Sequence, residues 1–308
     1  MKAFAITARD ASPALQDVPQ PAPGPGEVLV AVEAASVNGF DLSVAGGYVW
    51  DMLPHEFPVV LGRDFVGIVT GVGDGVHEVG DGDRVAGVIP GVALGPGSLG
   101  EYVTVPAASV TAVPSGVDVH DAAAIGLAGI AAHDALEALG LKPGELVLVS
   151  GATGGVGSIA VQRAVAAGAT VIATARPGRE EEYVRGLGAT HAVDYTGDIA
   201  AAVHAIAPDG VDKALHAAGD PAAIGKVVRA GGAVASTMGV TAEQLGRDDI
   251  TVTAIMAAAT AGKLARLLDD LAGGKLRVNI EATVPLARAH EALQTFAGGT
   301  LGKVLVTR

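Results

Sequence analysis

The period of apolar and polar positions changes once along the chain. Up to about Pro114 the apolar residues fall in short β-branched runs, at 27–32, 66–72 and 101–105, divided by Gly- and Pro-rich stretches. That pattern predicts short strands joined by tight turns. From about Asp121 onward, apolar runs of strand length alternate with Ala-rich stretches of helical length. Strands are predicted at Leu146–Ser150, 170–175, 191–195, 213–217 and 233–237, with helices at 156–167, 180–187, Ile199–Ile206 and 222–229 between them. Successive αβ repeats of this kind predict a parallel sheet. Gly168, Gly188 and Gly231 each follow a helical stretch, where a helix end needs a positive φ at little steric cost. Helices at 263–271 and 287–296 and a last strand, Lys303–Thr307, complete the pattern, so the C-terminal stretch is expected to fold back onto the first part of the chain.

Composition narrows the class. The 308 residues suffice for two domains with cores of their own, and a content of 50% hydrophobic but 3% aromatic residues means those cores are built from Ala, Val, Leu and Ile. The expected division is a strand-rich domain at 1–118, completed by 275–308, and a domain of αβ repeats at 119–274. A formal net charge of −13 disfavours nucleic acid and anionic membrane surfaces as partners. The longest unbroken apolar run, 122–132, is short of the ~20 residues that span a bilayer, so a soluble chain is expected. Charges at Lys2, Arg9 and Asp10 interrupt any signal-peptide core, and the expected location is cytoplasmic. The chain has no cysteine, which excludes disulfides, thiolate catalysis, iron–sulfur clusters and any zinc site that needs a Cys ligand.

The segment richest in chemistry is the strand Leu146–Ser150 followed by Gly151-Ala-Thr-Gly-Gly-Val-Gly157 and a helix. Strand, Gly-rich turn and helix N-terminus in that order aim backbone N–H groups and the positive helix end at a pyrophosphate. Ala152, Thr153, Gly154, Gly155, Val156 and Gly157 are therefore candidate cofactor residues, with Gly154 leaving room for the phosphates and Gly157 letting the helix pack close. Ala152 stands where the usual fingerprint has its first Gly, so the match is a variant. An NAD-specific site would place an acid at the end of the second strand, but this chain reads Thr174-Ala-Arg176-Pro-Gly-Arg179 with no acid before Glu180. Thr174 and the two arginines favour a 2′-phosphate, hence NADPH, with Arg176 preferred because it lies nearer the strand end.

The ordered series of the turn at 36–41 with Asn38 and Asp41, Gly46-Gly-Tyr48, Gly62-Arg-Asp-Phe-Val-Gly67, residues 100–106, Gly126-Leu-Ala-Gly129, the Gly-rich turn, Asp194-Tyr195 and Leu301-Gly-Lys-Val-Leu305 resembles the medium-chain dehydrogenase/reductases, in their zinc-independent, zeta-crystallin-like quinone oxidoreductase group. The resemblance covers nearly the whole chain. It implies an α/β protein with a GroES-like β-barrel substrate domain and a Rossmann domain with a doubly wound parallel sheet. It also implies a homodimer joined through Rossmann sheet edges, with residues 250–255 as the edge strand. Zinc-dependent members carry a Cys near the position of Asn38 and a His after Gly62; here Arg63 follows Gly62, and no catalytic metal is expected. Glu180 falls where many NADPH-dependent relatives carry a basic residue, so the 2′-phosphate relies on Arg176, Arg179 or Tyr195. Ala218 and Gly239 are the further cofactor positions that the resemblance implies.

The reading that follows is a small-molecule oxidoreductase in which NADPH reduces a quinone or an α,β-unsaturated carbonyl by hydride transfer. Tyr48 resembles in position the tyrosine that related enoyl reductases place at the substrate, and it would polarise a carbonyl or protonate the product. Asn38 would hold ribose or substrate and Asp41 would orient the turn, although both also suit a plain Asx turn. Trp50 would form a flat wall for a ring substrate or simply pack, and Asp64 reads as a structural tie. A short-chain-type reductase is excluded, because no tyrosine has Lys four residues on. An enoyl reductase of a biosynthetic pathway, and an NADPH-binding protein with a sensing or structural role, are the alternatives.

Overall fold

The structure, a computed structural model, describes residues 1–91 and 93–308, and the chain divides into two compact units, Met1–Leu127 with Ala259–Arg308, and Ala128–Ala258. The first unit opens with β1 (Lys2–Ile6), β2 (Ala14–Asp17), β3 (Glu27–Ser36), α1 (Gly39–Ala45), β4 (Val59–Val60), β5 (Asp64–Val72), β6 (Arg84–Val88), β7 (Tyr102–Pro106) and β8 (Val110–Ala112). The long α2 (Val119–Leu139) leads into β9 (Leu146–Ser150), α3 (Gly155–Ala166), β10 (Thr170–Thr174), α4 (Arg179–Gly186), β11 (His191–Val193) and α5 (Ile199–Ile206). The second unit continues through β12 (Val211–His216), α6 (Pro221–Val227), β13 (Val228–Ser236), α7 (Ala242–Leu245) and β14 (Thr251–Ala254). The chain then returns to the first unit as α8 (Ala261–Ala272), β15 (Ile280–Pro285), α9 (Ala289–Ala297) and β16 (Lys303–Thr307).

In the first unit a seven-stranded sheet runs β15-β16-β3-β5-β6-β8, with β7 also paired to β3, and a small sheet runs β2-β1-β4. β3 organises the larger sheet because Val28, Val30, Val32 and Ala34 alternate onto one buried face, which fixes its register. The C-terminal stretch folds back as expected: β16 lies antiparallel to β3, with Leu305 opposite Ser36 and Val306 opposite Ala35. Helix α8 belongs here too. Its Leu264, Leu267 and Leu268 form one buried stripe, and the helix packs on β8 and β6. The compact units thus divide after Leu127 and Ala258, where the sequence pattern had suggested 118 and 274. An amphipathic stripe shows that a helix covers a sheet without showing which sheet.

The second unit is a six-stranded parallel sheet in the order β11-β10-β9-β12-β13-β14. Numbered within the unit this is 3-2-1-4-5-6, the Rossmann order, whose topological switch lies between β9 and β12. Val147, Leu148, Val149, Ala214 and Leu215 are fully buried, as strands covered on both faces require. Helix starts are fixed locally: Asp198 accepts the Ala201 N–H, and Asp220 accepts the Ala222 N–H with Pro221 at the first turn. Gly168 and Gly188 follow their helices with φ of 82° and 104°. Gly231 does not. Helix α6 stops at Val227 and β13 begins at Val228, so Gly231, φ 73°, lies inside the strand, where the register against β12 shifts. The pattern also gave no sign of α2: its run 122–132 is apolar on every side, so no helical period shows. Length and composition alone would let this helix cross a membrane, but 67% of its most apolar window is buried, the condition of a core helix.

Candidate functional site

The Gly-rich turn sits at the carboxyl end of β9, beside the switch in strand order. Gly151 turns the chain with φ 74°, and its N–H is held by Thr174 Oγ1 at 2.9 Å. Thr174, 2% exposed, therefore braces the turn from β10 rather than facing outward. Ala152 is fully buried beneath the turn. A Cβ on Gly157 would lie 2.2 Å from the Gly151 carbonyl oxygen, so only glycine lets α3 pack this close. A Cβ on Gly154 would find only Gly151 O, at 3.6 Å, and the crest of the turn is open. Gly154 caps α3, whose first turn carries the N–H groups of Gly155, Val156 and Gly157 beyond the reach of intrahelical acceptors, with Thr153 just before the cap. An open crest above converging N–H donors at a helix N-terminus fits a pyrophosphate.

Arg176, Arg179 and Tyr195 lie past the end of β10 and its neighbour β11. Arg176 is paired with Glu180 through Nη2 and, at 2.7 Å, through Nε, and it lies over the Tyr195 ring at 5.9 Å. Tyr195 donates its hydroxyl to Glu180 at 3.2 Å, and Arg179 is exposed at the start of α4. Glu180 holds the Arg176 guanidinium above its usual pKa, while the hydrogen bonds from Arg176 and Tyr195 outweigh partial burial and hold the Glu180 carboxyl below its own. Ala218 and Gly239 are exposed beyond the carboxyl ends of β12 and β13, Gly239 with φ 68°. A buried chain of hydrogen bonds braces these two strand ends, and the sequence gave no sign of it. His216 Nε2 lies 3.1 Å from the Gly219 carbonyl, which can only accept, so that nitrogen carries the proton. Nδ1 therefore accepts from Ser236 Oγ at 3.0 Å, and Ser236 Oγ accepts the Met238 N–H at 3.1 Å.

In the first unit the turn after β3 is built over a buried polar cluster. Asp41, 1% exposed, accepts the Asn38 N–H and the Gly62 N–H, both at 2.8 Å. Burial pushes its carboxyl up to about 6, against the pull of those two bonds, with Asp64 adding to the rise and Lys303 opposing it. Lys303, 2% exposed, donates to Val37 O at 2.9 Å and to Asn38 Oδ1 at 2.6 Å. Burial draws its pKa down, against the attraction of Asp64 and Asp41. Asn38 Nδ2 donates to Ser36 O at 3.2 Å and Asp64 Oδ1 at 3.1 Å. Asp64, fully buried, also accepts Ser36 Oγ at 2.7 Å and the Leu127 N–H at 2.8 Å. It is a tie, and Gly126 lets the helix meet it, since a Cβ there would lie 2.6 Å from Asp64 Cβ. Arg63 donates to Ile89 O at 2.9 Å and to Gly91 O, and lies over the Phe40 ring at 5.3 Å.

The catalytic candidates thus separate. Asn38 and Asp41 have their side-chain atoms engaged inside the cluster, while Tyr48 is 79% exposed, with its ring lying beside Gly46. Trp50 is 5% exposed and packs edge-on to His55 and tilted against Phe57, with centroids at 5.2 and 5.4 Å, so it is a core residue and not a substrate wall. Lys303 went unassigned in the sequence; the only signal was a cation opening an apolar strand. His133, Asp134 and Glu137 bring ligand atoms within 4.8 Å of one another. However, His133 lies 3.4 Å from the Arg163 guanidinium and Asp134 accepts the Ala258 N–H at 2.8 Å.

Comparison with known proteins agrees with this architecture. Residues 24–115 match the alcohol dehydrogenase GroES-like domain and residues 155–258 the zinc-binding dehydrogenase domain. A chloroplastic quinone oxidoreductase of Triphysaria versicolor is 30% identical over 308 aligned residues, covering 94% of this chain and 92% of that one. A mycocerosic acid synthase-like polyketide synthase of Mycobacterium tuberculosis is 40% identical over 173 residues, 56% of this chain but 8% of the synthase. A mycobacterial protein solved in complex with NADPH superposes with a TM-score of 0.88 at 29% identity over 100% of both chains. The chain belongs to the medium-chain dehydrogenase/reductase superfamily, in its quinone oxidoreductase group, and has none of the cysteines that zinc-dependent members use.

Proposed function

We propose that the protein is an NADPH-dependent, zinc-independent oxidoreductase that reduces a quinone or an α,β-unsaturated carbonyl. The observation that carries this reading is the cradle at 151–157, open above Gly154 and placed at the switch in strand order, with a basic residue past the end of β10. The N–H groups of Gly155, Val156 and Gly157 bind the pyrophosphate, and the ribose end of the cofactor lies at Arg176, Tyr195 and Glu180. Ala218 and Gly239, on strand ends braced by His216 and Ser236, line the nicotinamide side. Bound NADPH supplies the hydride. Tyr48 donates its hydroxyl to the carbonyl oxygen on which negative charge develops. Asn38 and Asp41 act as positioning residues that shape the turn before Tyr48. A second reading, enoyl reduction within a biosynthetic pathway, is favoured by the likeness to the polyketide synthase and changes only the acceptor. Two chains pairing through β14, the outer strand of the parallel sheet, would form the homodimer.

The test is steady-state NADPH oxidation against quinones and enones by the wild type and Tyr48→Phe. The variant is expected to lose about 10²-fold in kcat with little change in the affinity for NADPH. Wild-type kcat in Tyr48→Phe would remove Tyr48 from the reaction, and NADPH binding without turnover of any acceptor would overturn the enzymatic reading.

A further inference from the structure

No acid stands at the end of the second Rossmann strand in the sequence, yet the fold puts one there. β10 ends at Thr174 and α4 starts at Arg179, after a turn in which Gly178 takes φ 90°. That turn carries Glu180 back to the strand end. Its Oε2 accepts the backbone N–H of Arg176 at 2.8 Å. Its Oε1 accepts Arg176 Nε at 2.7 Å and the Tyr195 hydroxyl at 3.2 Å, and Nη2 of Arg176 closes the ion pair. The Glu180 side chain is 12% exposed and that of Arg176 58%, so the acid lies beneath and the cation outside.

A backbone N–H, a guanidinium and a phenol converging on one anion are the donors that a phosphate monoester takes. Here they are already filled by an internal carboxylate. A carboxylate at this strand end is also the group that accepts a ribose 2′-hydroxyl. We propose that Glu180 is a specificity-determining residue: it occupies the donors that a 2′-phosphate requires and offers an acceptor to an unphosphorylated ribose, so that the protein discriminates only weakly between NADPH and NADH. The proposal rests on the nicotinamide-cofactor reading above. A 2′-phosphate must draw Arg176 away from Glu180 and then sit beside a like charge. A 2′-hydroxyl brings no like charge to Glu180 and can share one of its carboxylate oxygens as a further donor.

The experiment is calorimetric titration of the full-length protein with adenosine 2′,5′-bisphosphate and, separately, with 5′-AMP. The wild type should bind the two within about tenfold of each other. Glu180→Gln keeps the shape, removes the competing charge, and should tighten the bisphosphate about 5- to 10-fold while 5′-AMP stays within about twofold. Arg176→Ala should move the ratio the opposite way. An unchanged ratio in Glu180→Gln, with both nucleotides bound, would overturn the role of Glu180. Failure of the wild type to bind either nucleotide would overturn the cofactor reading itself and the inference with it.

Discussion

Lys303 brings an ammonium into the interior of the first unit, where Val37 O and Asn38 Oδ1 accept its protons and the carboxylates of Asp41 and Asp64 offset its charge. Lys303→Met removes that cation and leaves two buried carboxylates and two acceptors uncompensated. The variant should be about 3–5 kcal/mol less stable, read by denaturant titration, and a loss under 1 kcal/mol would contradict the buried network. Asp41 makes a prediction with a definite sign. Its folded pKa, about 6, lies above the 3.8 of a free carboxyl, so between these values the folded chain keeps a proton that the unfolded chain has released. Stability contributed by this group is therefore full below about pH 4 and is lost as pH rises through about 6, by on the order of 3 kcal/mol. Subtracting the pH profile of Asp41→Asn from that of the wild type isolates the effect, and a difference profile flat between pH 4 and 7 would refute it. The sequence showed a turn that pairs Asn38 with Asp41, because the bond from the Asn38 N–H to the Asp41 carboxylate spans three residues. It could not show Lys303, whose partner Asn38 is 265 positions away.

At the scale of elements, the strand, turn and helix at 146–166 form the part of the site most fully legible in the sequence. Its glycines are separated by what a side chain would meet. Gly157→Ala drives a methyl to 2.2 Å from a backbone oxygen, so α3 must shift. The change should cost about 1–3 kcal/mol in thermal unfolding and weaken NADPH binding at least about tenfold. Gly154→Ala has room for its methyl and should cost within about 1 kcal/mol, the loss of a favourable cap, yet it fills the open crest and should weaken NADPH binding comparably. Equal NADPH affinity in the wild type and Gly154→Ala, by fluorescence titration, would mean that the phosphates do not pass over the crest. Elements whose cues are tertiary were harder to read. α2 has no polar face to betray a period, and the attachment of α8 depends on β6 and β8, far earlier in the chain. Gly231 fitted a helix end by local rules but serves a strand whose register shifts against β12. Glu180 likewise read as too late for the strand end until the turn at Gly178 brought it back.

At the scale of the molecule, each unit has its own large sheet and its own polar framework. The first is completed by both ends of the chain, through the pairing of β16 with β3; the second carries the Rossmann order without interruption. The chain has no cysteine to bind a catalytic zinc, and in the proposed reaction the carbonyl is polarised by a proton donor, Tyr48, in place of a metal. Hydride transfer from NADPH to a quinone or enone should thus proceed with no metal in the reaction, and the deciding measurement is the rate of NADPH oxidation with such an acceptor before and after exhaustive treatment with a zinc chelator. The expected result is measurable turnover, unchanged by the chelator and not increased by added zinc. Turnover abolished by chelation and restored by zinc would show that the reaction needs a metal after all.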